Sequence, residues 1–113
     1  MIRPMNAVPE IGVTELPADA VLLDVREDDE WAAGHAPDAT HLPMNEVPTR
    51  IADVPEADPV YVICRSGGRS GRVVAFLNQN GRAAVNVGGG MQSWAANGRP
   101  MVSERDGAAP DVI

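Results

Sequence analysis

The stretch VYVICRSGGRSGRVVAFL, residues 60–77, combines three different hydrophobic patterns. Residues 59–64 are apolar and rich in β-branched side chains, as in a buried strand. Residues 65–69 contain two glycines and two arginines, which predicts a tight loop. From Ser70 onward the apolar residues recur at helical spacing as far as Gly81. The stretch therefore predicts a strand, a loop and a helix, with Cys64 at the end of the strand.

The alternation of strands and helices continues on both sides of this unit. Residues 21–25 and 83–87 are apolar runs that predict two more buried strands, with a short strand at 40–42 and an edge strand within 1–12. Helices are predicted after an acidic start at 27–30, ended by Gly34, and over 91–96, with a weaker helical stripe around 47–54. Parallel strands joined by right-handed crossovers predict an α/β fold, a central and mostly parallel sheet covered by helices on both faces.

Length and composition are those of a single globular domain. The chain has 113 residues, of which 44% are hydrophobic and 22% charged, and we expect one domain over 1–113, with its core at about 10–102 and a mobile tail at 103–113. The sequence contains no apolar run of about 18 residues and no secretory pattern. We therefore expect a cytoplasmic protein that does not bind membranes.

The charge distribution predicts a small anionic ligand. The net charge of −7 repels nucleic acid and anionic lipid surfaces. All nine basic residues are arginine, and three of them, Arg65, Arg69 and Arg72, lie close to the cysteine. We therefore expect a small anion as partner, bound at a local positive spot, and no nucleic acid.

The single cysteine is placed where a thiolate is stabilised. A chain with one cysteine has no internal disulfide. Backbone N–H groups, the helix N-terminus and nearby arginines lower the pKa of such a thiol. Gly67 and Gly68 permit the loop to curl around the sulfur, and Arg69 offers a planar fork for the oxygens of a sulfonate, phosphate or carboxylate. The residues alone thus indicate an anion cradle in front of a nucleophilic Cys64.

Four motifs together resemble the single-domain rhodanese family. They are CRSGGRS at 64–70, DVRE at 24–27, GHAPDATHLP at 34–43 and GGGMQSW at 88–94, within a match of roughly residues 10–102. The resemblance implies a rhodanese-like three-layer fold and a sulfurtransferase, which takes sulfur from thiosulfate or a persulfide donor and passes it through a cysteine persulfide to a thiol or cyanide. Two histidines and one cysteine without a repeated spacing do not predict a zinc site, and we expect no metal and no cofactor.

The resemblance also implies the roles of the loop residues. Cys64 would carry the sulfur, and Asp24 and Arg26 would be structural. Relatives with phosphatase or arsenate reductase activity have a loop that is one residue longer, so the Cys-x4-Arg spacing favours sulfur over phosphoryl transfer. The substrate-binding residues would be Arg65, Ser66, Gly67, Gly68 and Arg69.

Several alternatives remain open from the sequence. Cys64 by itself is compatible with an inert buried residue, with a sulfur-relay or carrier module that serves a partner protein, and with a redox-sensing thiol. Because ligands bind beyond the carboxyl ends of parallel strands, the rim candidates are Arg26, His35 and the glycines at 88–90. His35 is a weak candidate for a general base. The acidic residues 27–30 are most simply a solvated helix start, and Trp31 and Trp94 are expected to be core anchors.

Overall fold

The computed structural model describes residues 8–113, which form a five-stranded sheet. The strand order is β1-β5-β4-β2-β3, and all the pairings between these strands are parallel. Since every strand runs in the same direction, their carboxyl ends meet at one edge. The strands are β1 Glu10–Gly12, β2 Leu22–Asp24, β3 Thr40–His41, β4 Val60–Ile63 and β5 Ala84–Gly88.

Helices cover the sheet on both faces. One core cluster joins Leu23 and Val62 to the apolar side of α2, and the other joins Leu22 and Ile63 to Met91 and Trp94 of α3. The alternate residues of β2 and β4 thus point into different clusters, as a strand buried on both faces requires. The predicted three-layer α/β fold is confirmed. The helices are α1 Asp28–Ala33, α2 Gly68–Gln79 and α3 Gly90–Ala96.

Local details differ from the pattern-based predictions. Helix α2 begins at Gly68 rather than at Ser70, because Gly67 in the left-handed conformation already turns the chain into the helix. The stripe around 47–54 forms two 3₁₀ turns, Met44–Glu46 and Ile51–Asp53, instead of a continuous helix. Pro48 lies between them and lacks the N–H that a continuous helix would use.

A buried ion pair fixes the start and the end of α1. Arg26 and Asp24 are completely buried, with the Arg26 Nη2 atom 2.7 Å from the carboxylate of Asp24. The guanidinium of Arg26 also donates hydrogen bonds to the main-chain oxygens of Glu30 and Gly34, at 3.2 and 2.8 Å. The expectation that Arg26 forms part of the pocket rim is therefore wrong, because its side chain is completely buried and each guanidinium nitrogen donates inside the domain.

Residues 103–113 are attached to the domain along α1. The N–H groups of Glu104 and Asp111 donate to the carbonyl oxygens of Ala32 and Ala33, each at 2.9 Å. Gly34 does end α1, but with an extended φ of 173° rather than a left-handed turn. A Cβ at Gly34 would lie 2.5 Å from the carbonyl oxygen of Asp111, so the close approach of the tail requires glycine there. The mobility of residues 103–113 stays a prediction.

Candidate active site

The loop after β4 encloses the sulfur of Cys64. Residue Cys64 is 1% exposed and follows directly on the last residue of β4. The backbone at Gly67 has φ of 115°, a conformation that L side chains rarely adopt, and it directs its N–H back towards the cysteine. The predicted strand, loop and helix therefore meet around one thiol.

Hydrogen-bond donors surround this sulfur. The Gly67 N–H donates to Cys64 Sγ at 3.1 Å, and the hydroxyl oxygen of Ser70 lies 3.2 Å from the same sulfur. Burial raises the pKa of the Cys64 thiol, but hydrogen bonds from the Ser70 hydroxyl and from the backbone N–H groups of Ser70, Gly67 and Ser66 outweigh it. The pKa of Cys64 therefore lies below its ordinary value, and the thiolate is favoured.

Helix α3 holds the loop through backbone hydrogen bonds. The N–H groups of Met91 and Gln92 donate to the carbonyl oxygens of Cys64 and Arg65, at 2.8 and 3.0 Å. A Cβ at Gly90 would lie 2.4 Å from the Cys64 carbonyl oxygen, so the backbones approach too closely for a side chain. Gly90, one of the rim candidates, therefore permits the close packing of α3 against the loop.

Arg69 is held by a carboxylate from another element. Its Nη1 and Nη2 atoms donate to the two carboxylate oxygens of Glu30 in α1, at 2.7 and 2.9 Å. The side chain of Glu30 is only 13% exposed, and the hydrogen bond from Arg69 lowers the pKa of its carboxyl group. The interpretation of Glu30 as part of a solvated helix start is wrong for this residue. Glu30 orients the guanidinium of Arg69 and neutralises its charge.

The other two arginines near the cysteine are exposed. Arg65 is exposed, and its Nε donates to the main-chain oxygen of Ile113 at 3.1 Å. Arg72 is exposed one turn into α2, beside a hollow of about 140 Å³ lined with Met44 and Phe76. Among the three arginines, Arg69 thus has the most defined position.

The histidines belong to a separate aromatic stack. The ring of His35 is buried and lies 3.5 Å from that of Trp31, which also stacks on His41 at 4.7 Å. The ring nitrogens of His35 lie 2.8 Å from the Ala36 carbonyl oxygen and 3.3 Å from a carboxylate oxygen of Glu104. The structure gives His35 no contact with Cys64, so its candidate roles as a rim residue and general base are not supported.

Two polar residues near the sulfur were not singled out by the sequence reasoning. Ser70 is completely buried against Cys64, and Asn86 of β5 is 2% exposed with its side chain on Ser70. A signal for Asn86 was available, since an amide in the middle of an apolar strand must find hydrogen-bond partners inside the protein. The partner itself could not be read from the sequence.

Residues 8–113 contain neither a metal-binding cluster nor a helix suited to cross a membrane. Within this range no cluster of three or more His, Cys, Asp or Glu side chains is arranged to hold a metal ion. None of the helices formed there is long and apolar enough to cross a membrane.

Fold and site together define a class of protein. A parallel α/β sheet carries a buried thiol in a short loop of hydrogen-bond donors, directly before a helix, as cysteine-dependent group-transfer domains do. Residues 13–97 match the family model described as the rhodanese-like domain. The chain therefore belongs to the rhodanese-like domain family.

Similar proteins agree with this assignment. A sulfurtransferase of Allochromatium vinosum is 42% identical over 86 residues, which cover 75% of this chain and 80% of the relative. A putative sulfur carrier protein of Bacillus subtilis, YrkF, is 34% identical over 96 residues, covering 79% of this chain but only 52% of that protein. The crystal structure of a rhodanese-related protein from Thermoplasma volcanium superposes with a TM-score of 0.77 at 33% identity, covering 83% of this chain and 97% of that one.

Proposed function

We propose that the protein is a sulfurtransferase that carries sulfane sulfur as a persulfide on Cys64. The observation that carries this proposal is the pair of contacts to Sγ, from the Gly67 N–H at 3.1 Å and the Ser70 hydroxyl at 3.2 Å. Donors that stabilise a thiolate also stabilise a persulfide anion, because both carry one negative charge on sulfur. The family assignment and the relatives named as sulfurtransferases support the same reading.

The reaction has two displacement steps. In the first, the Cys64 thiolate attacks the outer sulfur of thiosulfate, a new S–S bond forms, and the S–S bond of thiosulfate breaks with its electron pair leaving on sulfite. In the second, cyanide or a thiolate attacks the outer sulfur of the persulfide and releases the Cys64 thiolate. Neither step needs an external oxidant or reductant, and the sulfur anion is held by the same loop in both.

Arg69 is the proposed contact for the donor's oxygens. Its guanidinium is oriented by Glu30 through two hydrogen bonds, and three of its five N–H groups remain for a ligand. Since Glu30 compensates the charge of Arg69, the attraction for an anion comes from directed N–H groups more than from net charge. Ser66, Gly67 and Gly68 contribute loop backbone, and Arg65 is a second proposed contact.

Mass spectrometry after exposure to thiosulfate tests the proposal. The intact protein should gain the mass of one sulfur atom, lose it on treatment with a reductant, and form thiocyanate when cyanide is added. Because Cys64 is the only cysteine, Cys64→Ala should show no adduct and no turnover, and Cys64→Ser keeps the size of the side chain as a second control. A wild-type protein with neither adduct nor thiocyanate would rule the proposal out.

A carrier role for a partner protein is the second candidate. It is favoured by the similarity to a protein named as a sulfur carrier, which is about twice as long as the part that this chain matches. A carrier loads sulfur on Cys64 in the same way but turns over slowly with cyanide or small thiols. The turnover rate with cyanide and small thiols as acceptors separates the two roles. Comparing thiosulfate, glutathione persulfide and mercaptopyruvate then identifies the preferred donor. We expect thiosulfate to exceed mercaptopyruvate, because the loop is rich in arginine.

Loop length supports sulfur transfer over phosphoryl transfer. Four residues separate Cys64 from Arg69, and a ring of this size suits one additional sulfur atom better than a tetrahedral phosphoryl group. Wild-type protein should therefore hydrolyse small aryl phosphates only at background rates. Substantial hydrolysis by the wild type, without a glycine inserted after Gly67, would contradict the size argument.

A further inference from the structure

The side chain of Asn86 has a fixed orientation behind the candidate active site. Its Nδ2 atom lies 2.9 Å from Oε1 of Glu10 and 3.1 Å from the carbonyl oxygen of Gly67. Both partners are acceptors only, so the NH₂ group of the amide must face them. The Oδ1 atom of Asn86 therefore faces the other way, where it lies 2.6 Å from the Ser70 oxygen.

This orientation determines where the single proton of Ser70 goes. An amide oxygen accepts and never donates, so Ser70 must donate its hydroxyl proton to form the 2.6 Å contact with Asn86. The same hydroxyl oxygen lies 3.2 Å from Cys64 Sγ. One proton serves only one of these two acceptors at a time. While Ser70 donates to Asn86, only its lone pairs face the sulfur, and they accept from a thiol S–H.

We propose that Asn86 is a positioning residue that competes with the sulfur of Cys64 for the hydroxyl proton of Ser70. In the thiol form, the proton of Cys64 points at Ser70 and that of Ser70 points at Asn86. When the thiol proton is lost to solvent, the Ser70 hydroxyl turns to the sulfur anion and leaves the Asn86 oxygen without this donor. Asn86 thereby opposes formation of the thiolate, while Ser70 promotes it.

The position of the Ser70 hydroxyl proton depends mainly on three buried side chains. Cys64, Ser70 and Asn86 are each at most 2% exposed, so bulk water does not compete freely. The charged groups around this corner are Arg69 on α2, paired with Glu30 of α1, and Glu10 on β1; Arg65 is directed to the main chain at Ile113. The pair of Arg69 and Glu30 does not include Asn86. Asn86→Ala removes a hydrogen bond from Glu10, but this effect does not depend on the Ser70 hydroxyl.

The inference rests on Cys64 being the reactive thiol, but its test does not depend on sulfur transfer. The rate of alkylation by iodoacetamide, measured as a function of pH, reports the thiolate directly. Asn86→Ala should increase this rate about threefold to tenfold at a fixed pH below the midpoint, because Ser70 then donates to sulfur without competition. Ser70→Ala should decrease it by a similar factor. Loss of sulfur transfer together with these shifts would count against the proposed function alone.

A double-mutant cycle separates the hydroxyl from every other effect of Asn86. Asn86→Ala also removes the hydrogen bond to Gly67, and the same change in a Ser70→Ala background measures that contribution separately. We expect the rate increase to vanish in this background. An equal increase with and without the Ser70 hydroxyl would overturn the proposal, as would a decrease on Asn86→Ala.

Two more variants serve as controls, one for folding and one for the acceptor at position 86. Asn78 also ties α2 to β5, through bonds of 3.2 and 2.9 Å to the backbone of Ala84, but at the far end of the helix. Asn78→Ala should therefore lower stability and leave the pH profile unchanged. Asn86→Asp keeps an acceptor towards Ser70, so it should not produce the rate increase of Asn86→Ala. An equal increase in the two Asn86 variants would contradict the proposal.

Discussion

At the scale of single residues, the pKa of the Cys64 thiol depends on a few hydrogen bonds. The thiol is buried, which by itself disfavours its charged form, yet the donors around it reverse the balance. A buried thiol without these donors would have a raised pKa and would be inert at neutral pH. The same atoms therefore determine both where the sulfur lies and how readily the thiol ionises.

We predict that Cys64 is alkylated with a lower pH midpoint in the folded protein than in the unfolded chain. The lowered pKa means that the thiolate forms at a pH where a free thiol is still protonated. The alkylation rate should therefore reach its plateau at a lower pH in the folded protein. The measurement is the rate of iodoacetamide alkylation against pH, with and without denaturant. Identical midpoints in both conditions would show that the loop does not stabilise the thiolate.

We predict that Arg69→Lys raises the KM for thiosulfate about threefold to tenfold while the protein stays folded. Lysine keeps the charge but cannot bind two carboxylate oxygens of Glu30 in a plane and still present directed N–H groups to a donor. Steady-state kinetics measure the effect. Arg72→Lys, at an exposed position one turn further along α2, is the matched control and should behave as wild type. Equal effects of the two substitutions would remove Arg69 from the donor site.

At the scale of elements, two helices meet the loop in different ways. The N-cap residue of α2, Gly67, and Ser70 in its first turn direct backbone N–H groups towards the sulfur. Helix α3 instead donates two N–H groups to the loop's carbonyl oxygens. Both the carbonyl oxygens and the N–H groups of the loop thus take part in hydrogen bonds. The close approach of α3 to the loop explains why its first residue is Gly90.

We predict that Gly90→Ala destabilises the protein by about 3 kcal/mol and disturbs the Cys64 loop. Alanine at φ of 55° costs about 1 kcal/mol, and its Cβ would also lie 2.4 Å from a backbone oxygen, which adds the cost of overpacking. Denaturant unfolding measures the loss. Gly98→Ala has a similar φ of 66° and no neighbour within 4 Å, so it should show the conformational cost alone, about 1 kcal/mol. Equal losses at the two positions would mean that no clash occurs at Gly90.

At the scale of the whole molecule, residues 103–113 connect α1 to the side of the candidate active site. They bond to the last carbonyl oxygens of α1, bring Glu104 to His35, and end where Ile113 accepts from Arg65. Such long-range contacts hold a segment that has no secondary structure of its own. Its attachment depends on the absence of a side chain at Gly34.

We predict that Gly34→Ala releases this segment while the domain stays folded. The new Cβ would lie 2.5 and 2.7 Å from the backbone of Asp111, so the segment has to move. Amide hydrogen exchange at Glu104 and Asp111 should be slowed in the wild type and accelerated in the variant. Gly12→Ala, whose Cβ would meet its nearest neighbour at 3.8 Å, is the control. Fast exchange at both amides in the wild type would confirm the mobile tail expected from the sequence.

The sequence by itself determined the local features of this protein. Alternating apolar runs and helical stripes gave the strands and helices, and the glycines of the loop predicted its curl, because these properties depend on near neighbours in the chain. The four motifs indicated the family, and the position of Cys64 at a strand end indicated a nucleophile. The edges of the elements shifted by a residue or two where glycine or proline overrode the pattern.

Only the tertiary structure decided which side chains meet. Glu30 lies 39 positions from Arg69, Asn86 lies 16 from Ser70, and Glu10 lies 76 from Asn86. Nothing in the pattern of hydrophobic residues specifies such pairs, since burial fixes which face a residue occupies but not its polar partner. The sequence therefore located the thiol, and the packing of α1, α3, β1 and β5 determined which charges and which protons surround it.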